Sequence, residues 1–503
     1  MIKLSELLKD ARAGYTAGLA VTGDVEVCGI TADSRKVAPG FVFVALPGLK
    51  FNGADFISDA VKSGAVAVLC TPSARLDDQS VTWITHEVPA RIFPLMVAAW
   101  FQRQPEHLAA VTGTNGKTSV ASFTKQIWEH MGLKAASVGT LGVVAPEYNE
   151  YTGMTTPDPV TLHKAMSDLC DLGIDHVVFE ASSHGLAQYR LDGLNISAAA
   201  FTNLTRDHYD YHGSQENYFY AKSRLFGEVM KPGSTAVLNA DCPIVREVAD
   251  ICWARGHRVI TVGRHDGDIR LLHQASNPTG QEITVSYEGH LYDIKLSLVG
   301  SFQAINALMA VGLVIGCGGD PVQAFNSLAY LKSVEGRMEQ AARHPSGARI
   351  YVDYAHTPDA LETALEALRP HVRGKLSVVF GCGGDRDTGK REQMGQIACD
   401  KADRVYVTDD NPRSEDPAAI RAEILKGCPD ASEVGDRGQA IRQAVAGLEA
   451  GDLLLVAGKG HERGQEIAGT IHEFDDVSEV RSAIASLSVE KEGRGTTPGG
   501  IRS

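Results

Sequence analysis

Leu108-Ala-Ala-Val-Thr112 runs straight into Gly113-Thr114-Asn115-Gly116-Lys117-Thr118, and a helix-length segment follows. Strand, glycine-bearing turn and helix start, in that order, are the context a phosphate-binding loop requires. Glycines let backbone N–H groups approach phosphate oxygens, and the helix N-terminus adds a positive dipole. Lys117 is suited to bridge the β- and γ-phosphates of a nucleotide, and the Thr118 hydroxyl to hold Mg²⁺. The spacing is shorter than G-x-x-x-x-G-K, because Val111 stands where that pattern has its first glycine. An ordinary strand–helix turn is the competing reading, disfavoured by the ordered succession of strand, glycines, Lys and Thr.

Outward from this loop, strands and helices alternate. VVFEA (177–181), SAAAFT (197–202) and TAVLNA (235–240) read as buried strands, and Ala304 to Ile315 as a helix. The stretch from about Arg258 to Leu298 alternates in β fashion and is expected to form a smaller sheet of its own. Upstream, FVFVAL (41–46) and AVAVLC (65–70) mark a small α/β unit, followed by a helix from Pro89 to Gln102. Downstream, ARIYVD (348–353), LSVVFG (376–381), RVYVT (404–408) and LLLVA (453–457) are separated by helix-length segments. That pattern predicts a parallel, doubly wound sheet with ligands at the carboxyl ends of its strands. Each of these strands enters a polar cluster: DYAHTP, GCGGDRD, DDNPR and GKGHE. The expectation is an α/β protein of three domains: 1–88, a central phosphate-loop domain at 89–334, and a Rossmann-like domain at 335–490. Residues 491–503, polar and glycine-rich, are expected to be disordered.

Composition narrows the function. A chain of 503 residues is too long for one core. The formal net charge of -14 argues against a general nucleic-acid binder, which needs a basic field. Nine scattered cysteines without a C-x-x-C pair argue against a zinc ribbon and a secreted disulfide framework. No signal-peptide core and no run of ~18 apolar residues is present. The reading is a cytoplasmic protein without a membrane span.

Glu180, at the carboxyl end of a core strand beside the phosphate loop, is placed for a hard cation, although a helix cap or surface acid remains open from position alone. His208 follows another strand, where a hydrogen-bonded loop histidine is the commoner case, and Lys222 alone reads as a solvated helix lysine. The set is more specific. GTNGKT (113–118), EASSHGL (180–186), NLTRDHYDYHG (203–213) and YFYAKSRLF (218–226) resemble, in order and approximate spacing, the Mur ligase family. The resemblance covers almost the whole chain. It implies that Glu180 and His208 bind magnesium with Thr118, and that Lys222 is carbamylated to N6-carboxylysine. A carbamate turns an ammonium that would repel Mg²⁺ into a carboxylate on a long stem. It further implies that Lys117, Lys222, His208 and Glu180 are catalytic, and that ATP phosphorylates a substrate carboxylate to an acyl phosphate, which an amine then attacks. Gly113 to Thr118, Asn306, Arg337, Asp353 and His356 would bind ATP. Family members used for comparison act as monomers.

Two segments choose among siblings. TADSRKVAPG (31–40) resembles the UDP-binding segment of the diamino-acid- and dipeptide-adding members. Ser34 would meet the uridine, and Thr155, Thr156, Ser182, Gln188 and Arg190 the UDP-muramoyl dipeptide; any one Ser or Thr here is by itself more often a turn or cap residue. Asp410-Asn411-Pro412-Arg413 resembles the selectivity motif for meso-diaminopimelate, whose distal carboxylate an arginine fork binds bidentately. Arg386, Gly458 and Glu462 resemble the rest of that pocket. The implied activity is addition of meso-2,6-diaminopimelate to UDP-N-acetylmuramoyl-L-alanyl-D-glutamate in peptidoglycan precursor synthesis. The alternatives carried are a dipeptide-adding or folate-extending ligase, and a simple NTPase acting on a macromolecular partner.

Overall fold

A computed structural model describes all residues except 15–17, 49–50, 278–279 and 494–503. The chain is α/β throughout. Near the N-terminus, five strands lie in the order Ala20–Val21, Thr82–Thr85, Ala67–Cys70, Phe41–Val44, Gly29–Thr31, parallel except for the first pairing. The helix Pro89–Phe101 closes this unit and ends on Gln102, whose φ of 59° is left-handed. Its residues Ile92, Phe93, Met96 and Val97 enter one core with Leu4, Leu7, Val42 and Leu69. Each such burial contributes about 1.5–3 kcal/mol. The helix that sequence assigns to the central unit thus belongs, by packing, to the first sheet as well.

The second sheet has eleven strands. His107–Thr112 lies between His176–Glu180 and Ile196–Phe201 and is parallel to both, so the residues after Thr112, Glu180 and Phe201 emerge along one edge. The helices Lys117–His130 and Phe302–Gly316 share a core in which Val120, Phe123 and Ile127 meet Leu308 and Val311. Phe302–Gly316 is apolar on nearly all sides and buried accordingly. The expected separate sheet at 258–298 does not form. Arg258–Gly263 pairs in parallel with Thr235–Asn239, and the meander Ile269–Asn277, Gly280–Tyr287, His290–Leu296 continues the same sheet. The junction is only two residue pairs, Val262↔Ile269 and Gly263↔Arg270. Alternation of side chains reports burial, not backbone partners, so it cannot say which sheet a strand joins.

The third sheet runs Glu339–Arg343, Arg349–Asp353, Leu453–Ala457, Leu376–Phe380, Arg404–Val407, Ser432–Glu433, with only the first strand antiparallel. Its four central strands are the four apolar runs, and their carboxyl ends deliver the four polar clusters to one edge. The last helix, Asp476–Gly493, packs against this sheet through Val477, Val480 and Ala483. Of the expected disordered tail, residues 491–493 belong to that helix, and 494–503 lie outside the described residues.

Candidate active site

The phosphate loop is built as its glycines require. Gly113 has φ of +145°, and a Cβ there would lie 1.9 Å from Thr202 Oγ1. Gly116 has φ of +89°, and a Cβ would lie 2.7 Å from Asn306 Oδ1. Side chains at either position would strain the backbone and collide. Asn203 takes up two loop donors: Thr114 N–H donates to its carbonyl at 3.0 Å, and Asn115 N–H to its Oδ1 at 2.8 Å. The donors left for an anion are those of the first turn of Lys117–His130, which no side chain caps.

Two lysines converge on the loop. Lys117 Nζ donates to the carbonyls of Gly113 at 3.0 Å and Thr114 at 2.8 Å, and Lys222 Nζ donates to the same Gly113 carbonyl at 2.8 Å. Lys222 is 1% exposed, with its ammonium 4.4 Å from the centre of the Tyr218 ring. Burial, then the charge of Lys117, pushes Lys222 well below the usual lysine range. Burial also lowers Lys117, with Glu180 and Asp207 opposing.

Glu180 is buried and accepts from Thr118 Oγ1 at 3.0 Å, Thr140 N at 2.8 Å and Thr140 Oγ1 at 3.2 Å. Among the described residues no basic side chain pairs with it. A buried carboxylate satisfied by hydroxyls and backbone, next to a hydroxyl at the head of a phosphate loop, fits a hard cation. No three His, Cys, Asp or Glu side chains form a metal-ligating cluster among the described residues. His208 sits at φ 55° beside Asp207, and burial pushes it down to about 4. Burial would raise Asp207, yet His208, His356, Lys117 and Lys390 hold it below the usual carboxylate range.

The third unit reaches this centre. Arg337 Nη2 donates to Thr118 Oγ1 at 3.1 Å, and its guanidinium lies 4.3 Å from the centre of the Tyr354 ring. Asp353 accepts from Met338 N at 2.6 Å and Ala355 N at 2.8 Å. Asn115 Nδ2 donates to Asp359 Oδ2 at 2.9 Å, and Lys390 Nζ donates to the His356 carbonyl at 2.7 Å. The phosphate loop, Glu180, His208, Lys222, Asn306, Arg337, Asp353 and His356 line one cavity of about 310 Å³. Thr155 and Ser182 line it too. Ser182 caps the helix Ser183–Ala187, accepting from Gly185 N at 3.0 Å and Thr156 Oγ1 at 2.9 Å. Arg190 donates to Gln188 Oε1 and, at 2.6 Å, to the Thr156 carbonyl, so Thr156, Ser182, Gln188 and Arg190 form one chain of contacts.

Asp410, Asn411, Pro412, Arg413, Gly458 and Glu462 form a second constellation at neighbouring strand ends. Asn411 Nδ2 donates to Glu462 Oε2 at 2.9 Å, and a Cβ on Gly458 would lie 2.6 Å from Asp410 Oδ2. Arg413 Nη1 donates to the Gly384 carbonyl at 2.8 Å, and its Nε lies 3.3 Å from Glu466 Oε2. Arg386 is exposed and donates to the Asp385 carbonyl. These residues do not line that cavity; they adjoin it where the Tyr354 and His461 rings lie 5.2 Å apart. Ser34, in the turn Ser34–Lys36 of the first unit, lies outside that cavity as well. Sequence reasoning passed over Thr140, Asn203, Asp207, Asp359, Lys390 and Lys459. Asn203 and Asp207 stood inside a quoted segment; Asp359 and Lys390 carry no local signal, because their roles arise only when units meet.

A phosphate loop on a central parallel strand, joined through Thr118 to a doubly wound unit, defines a multidomain nucleotide-dependent enzyme. The profile of the Mur ligase middle domain matches residues 111–314, that of the Mur ligase glutamate ligase domain 336–460, and that of the Mur ligase family catalytic domain 26–111. The chain belongs to the Mur ligase family. It is 50% identical to the UDP-N-acetylmuramoyl-L-alanyl-D-glutamate–2,6-diaminopimelate ligase of Caulobacter vibrioides over 92% of this chain and 96% of that one. It is 50% identical to the enzyme of that name from Bradyrhizobium diazoefficiens, over 96% and 99%. A solved structure of a ligase so named matches with TM-score 0.67 at 34% identity, covering 92% and 95%. The MurF ligase of Thermotoga maritima shares the fold, with TM-score 0.61 at 19% identity.

Proposed function

We infer that this chain is an ATP-dependent ligase that joins meso-2,6-diaminopimelate to UDP-N-acetylmuramoyl-L-alanyl-D-glutamate, giving ADP and phosphate. The observation that carries the reading is the double hold on Thr118. Glu180 from the phosphate-loop sheet and Arg337 from the third unit share one hydroxyl, which holds the third unit against the phosphate loop. The half-identity to diaminopimelate ligases over nearly the full chain supports the substrate.

Residues 1–88 take the uridine end through Ser34, 89–334 the ATP, and 335–490 the amino acid. The first turn of Lys117–His130 and the Lys117 ammonium bind the phosphates, while Asn306 closes the loop from behind. A carboxylate oxygen of the glutamyl substrate attacks the γ-phosphorus as its bond to the bridging oxygen breaks, releasing ADP. The diaminopimelate nitrogen then attacks the acyl carbon, and the tetrahedral species expels phosphate. Lys117 and Arg337 neutralise the charge that develops, and cavity walls hold the reactants in reach. Thr118, Glu180, His208 and the carbamate on Lys222 would hold Mg²⁺, which when bound offsets repulsion between phosphates and substrate carboxylate. The depressed Lys222 favours the free amine, which adds to the carbon of CO₂ and releases one proton. Arg413 and Arg386 receive the distal carboxylate of diaminopimelate, and Asp410 and Glu462 its ammonium, with Asn411 holding Glu462 in place. On this reading the enzyme works as a cytoplasmic monomer. Among the described residues no helix is long and apolar enough to cross a membrane.

Purified protein with ATP, Mg²⁺ and the UDP-muramoyl dipeptide should release phosphate only when meso-diaminopimelate is added. Equal or faster turnover with L-lysine would reassign the amino acid, and release without an amine would make the protein an NTPase.

A further inference from the structure

Lys459, between Gly458 and Gly460, has no part in the reaction above, yet it is 0% exposed. A buried ammonium is costly unless anionic and polar partners surround it. Its partners are Asn411 Oδ1 at 3.0 Å, Glu462 Oε2 at 3.2 Å and Asp410 Oδ1 at 4.0 Å. All three belong to the constellation assigned to diaminopimelate, and Asp410 and Glu462 are its acceptors for the ammonium. We propose that Lys459 is a positioning residue that fixes the acceptor face of this pocket, an inference that rests on the ligase reading.

The hydrogen-bond pattern gives the means. Asn411 Oδ1 accepts from Lys459 Nζ and from Glu466 N at 3.0 Å. Two donors on one oxygen fix which way the amide points, so Nδ2 must face Glu462 Oε2, 2.9 Å away. Glu462 Oε2 then carries two donors, while its Oε1 is free of hydrogen bonds to the described residues. The side chain is pinned by its inner oxygen and offers the outer one to a ligand cation. Charge points the same way: Asp410 and Glu462 against Lys459 leave one net negative charge for one ammonium. Without Lys459, Asp410 and Glu462 lose the cation beside them, and Asn411 Oδ1 is left with the single donor Glu466 N.

The test is steady-state kinetics of the full enzyme with the UDP-muramoyl dipeptide. K459M is expected to raise the KM for diaminopimelate about 10- to 100-fold, the effect of unpairing a buried polar set. Its kcat should stay within about threefold, and the KM for ATP should not move. K459R, which keeps the charge, should recover most of the loss. Equal damage in K459M and K459R would overturn the proposal in favour of packing, and so would a fall in kcat at unchanged KM. If K459M fails to fold, K459M/E462Q is compared with E462Q alone. Near-equal KM values are expected, because Lys459 acts through Glu462, and a further tenfold rise would overturn the idea. Wild-type enzyme in the same assay separates the two claims. No diaminopimelate-dependent phosphate release defeats the ligase reading, whereas normal wild-type turnover with an unaffected K459M defeats only this inference.

Discussion

Replacing Glu180 by glutamine removes a charge while keeping the shape. The carboxylate accepts three hydrogen bonds, from Thr118 Oγ1 and from the N–H and hydroxyl of Thr140. In E180Q the amide oxygen can keep the bond from Thr140 N, and both threonine hydroxyls can rotate to accept from the new NH₂. All three charge-assisted bonds become neutral, but an uncharged amide is also cheaper to bury, so the net structural loss is about 1 kcal/mol. For a domain of this size that lowers Tm by about 2–4 °C. The catalytic loss is larger. Attraction between one carboxylate charge and a cation at a protein site is worth about 4 kcal/mol. At 1.36 kcal/mol per decade, turnover should fall roughly 10³-fold. Phosphate release titrated with MgCl₂ and a thermal melt on the same sample read the two terms separately. An E180Q enzyme within tenfold of wild type, with an unchanged magnesium requirement, would refute the placement of the cation at Glu180. A drop in Tm above about 10 °C would show that the carboxylate holds the fold instead.

Lys222→Ala should abolish turnover while leaving the melt within a few degrees, and turnover near wild type in that variant would remove the carbamate from the mechanism. Arg413→Ala should raise the KM for diaminopimelate by tenfold or more with ATP binding near normal; a loss of ATP affinity in calorimetry would mean the pocket is misplaced. Burial pushes His163 down to about 4, below the usual ~6.5. The folded protein thus refuses a proton that the unfolded chain takes. Its contribution is full above about pH 6.5 and is lost as pH falls towards 4, at most about 3 kcal/mol. His163→Leu should flatten urea-midpoint curves between pH 6.5 and 4, and parallel curves for variant and parent would contradict this.

The phosphate loop was legible because strand end, glycines, Lys117 and Thr118 are adjacent in sequence and their chemistry is local. The four strands of the third unit were legible because parallel strands covered on both faces read as continuous apolar runs. The strands Glu339–Arg343 and Ser432–Glu433 were not, since edge strands are short and carry polar residues. The joining of 269–296 to the central sheet was hidden because two backbone pairs decide it. Glu180, His208 and Lys222 carried weak signals alone, and only the resemblance drew them together; the structure places all three on the wall of one cavity. Lys459 is the clearest gap. A lysine between two glycines after a strand reads as a solvated turn, and its burial depends on Asn411 and on Glu462, which lie on different loops.

Arg437 and Asp476 are both 0% exposed and joined by two bonds of 2.7 Å, and the same guanidinium donates to the Ala457 carbonyl at 2.9 Å. Ala457 is the last residue before Gly458. The closing helix of the chain is thereby bolted to the strand that launches the GKGHE loop. Anyone shortening this protein for crystallisation, or splitting it to make a two-piece reporter, would have to cut after that helix. A break ahead of residue 476 strands a buried guanidinium, which costs about 3–5 kcal/mol, and the damage would reach the GKGHE loop through Ala457.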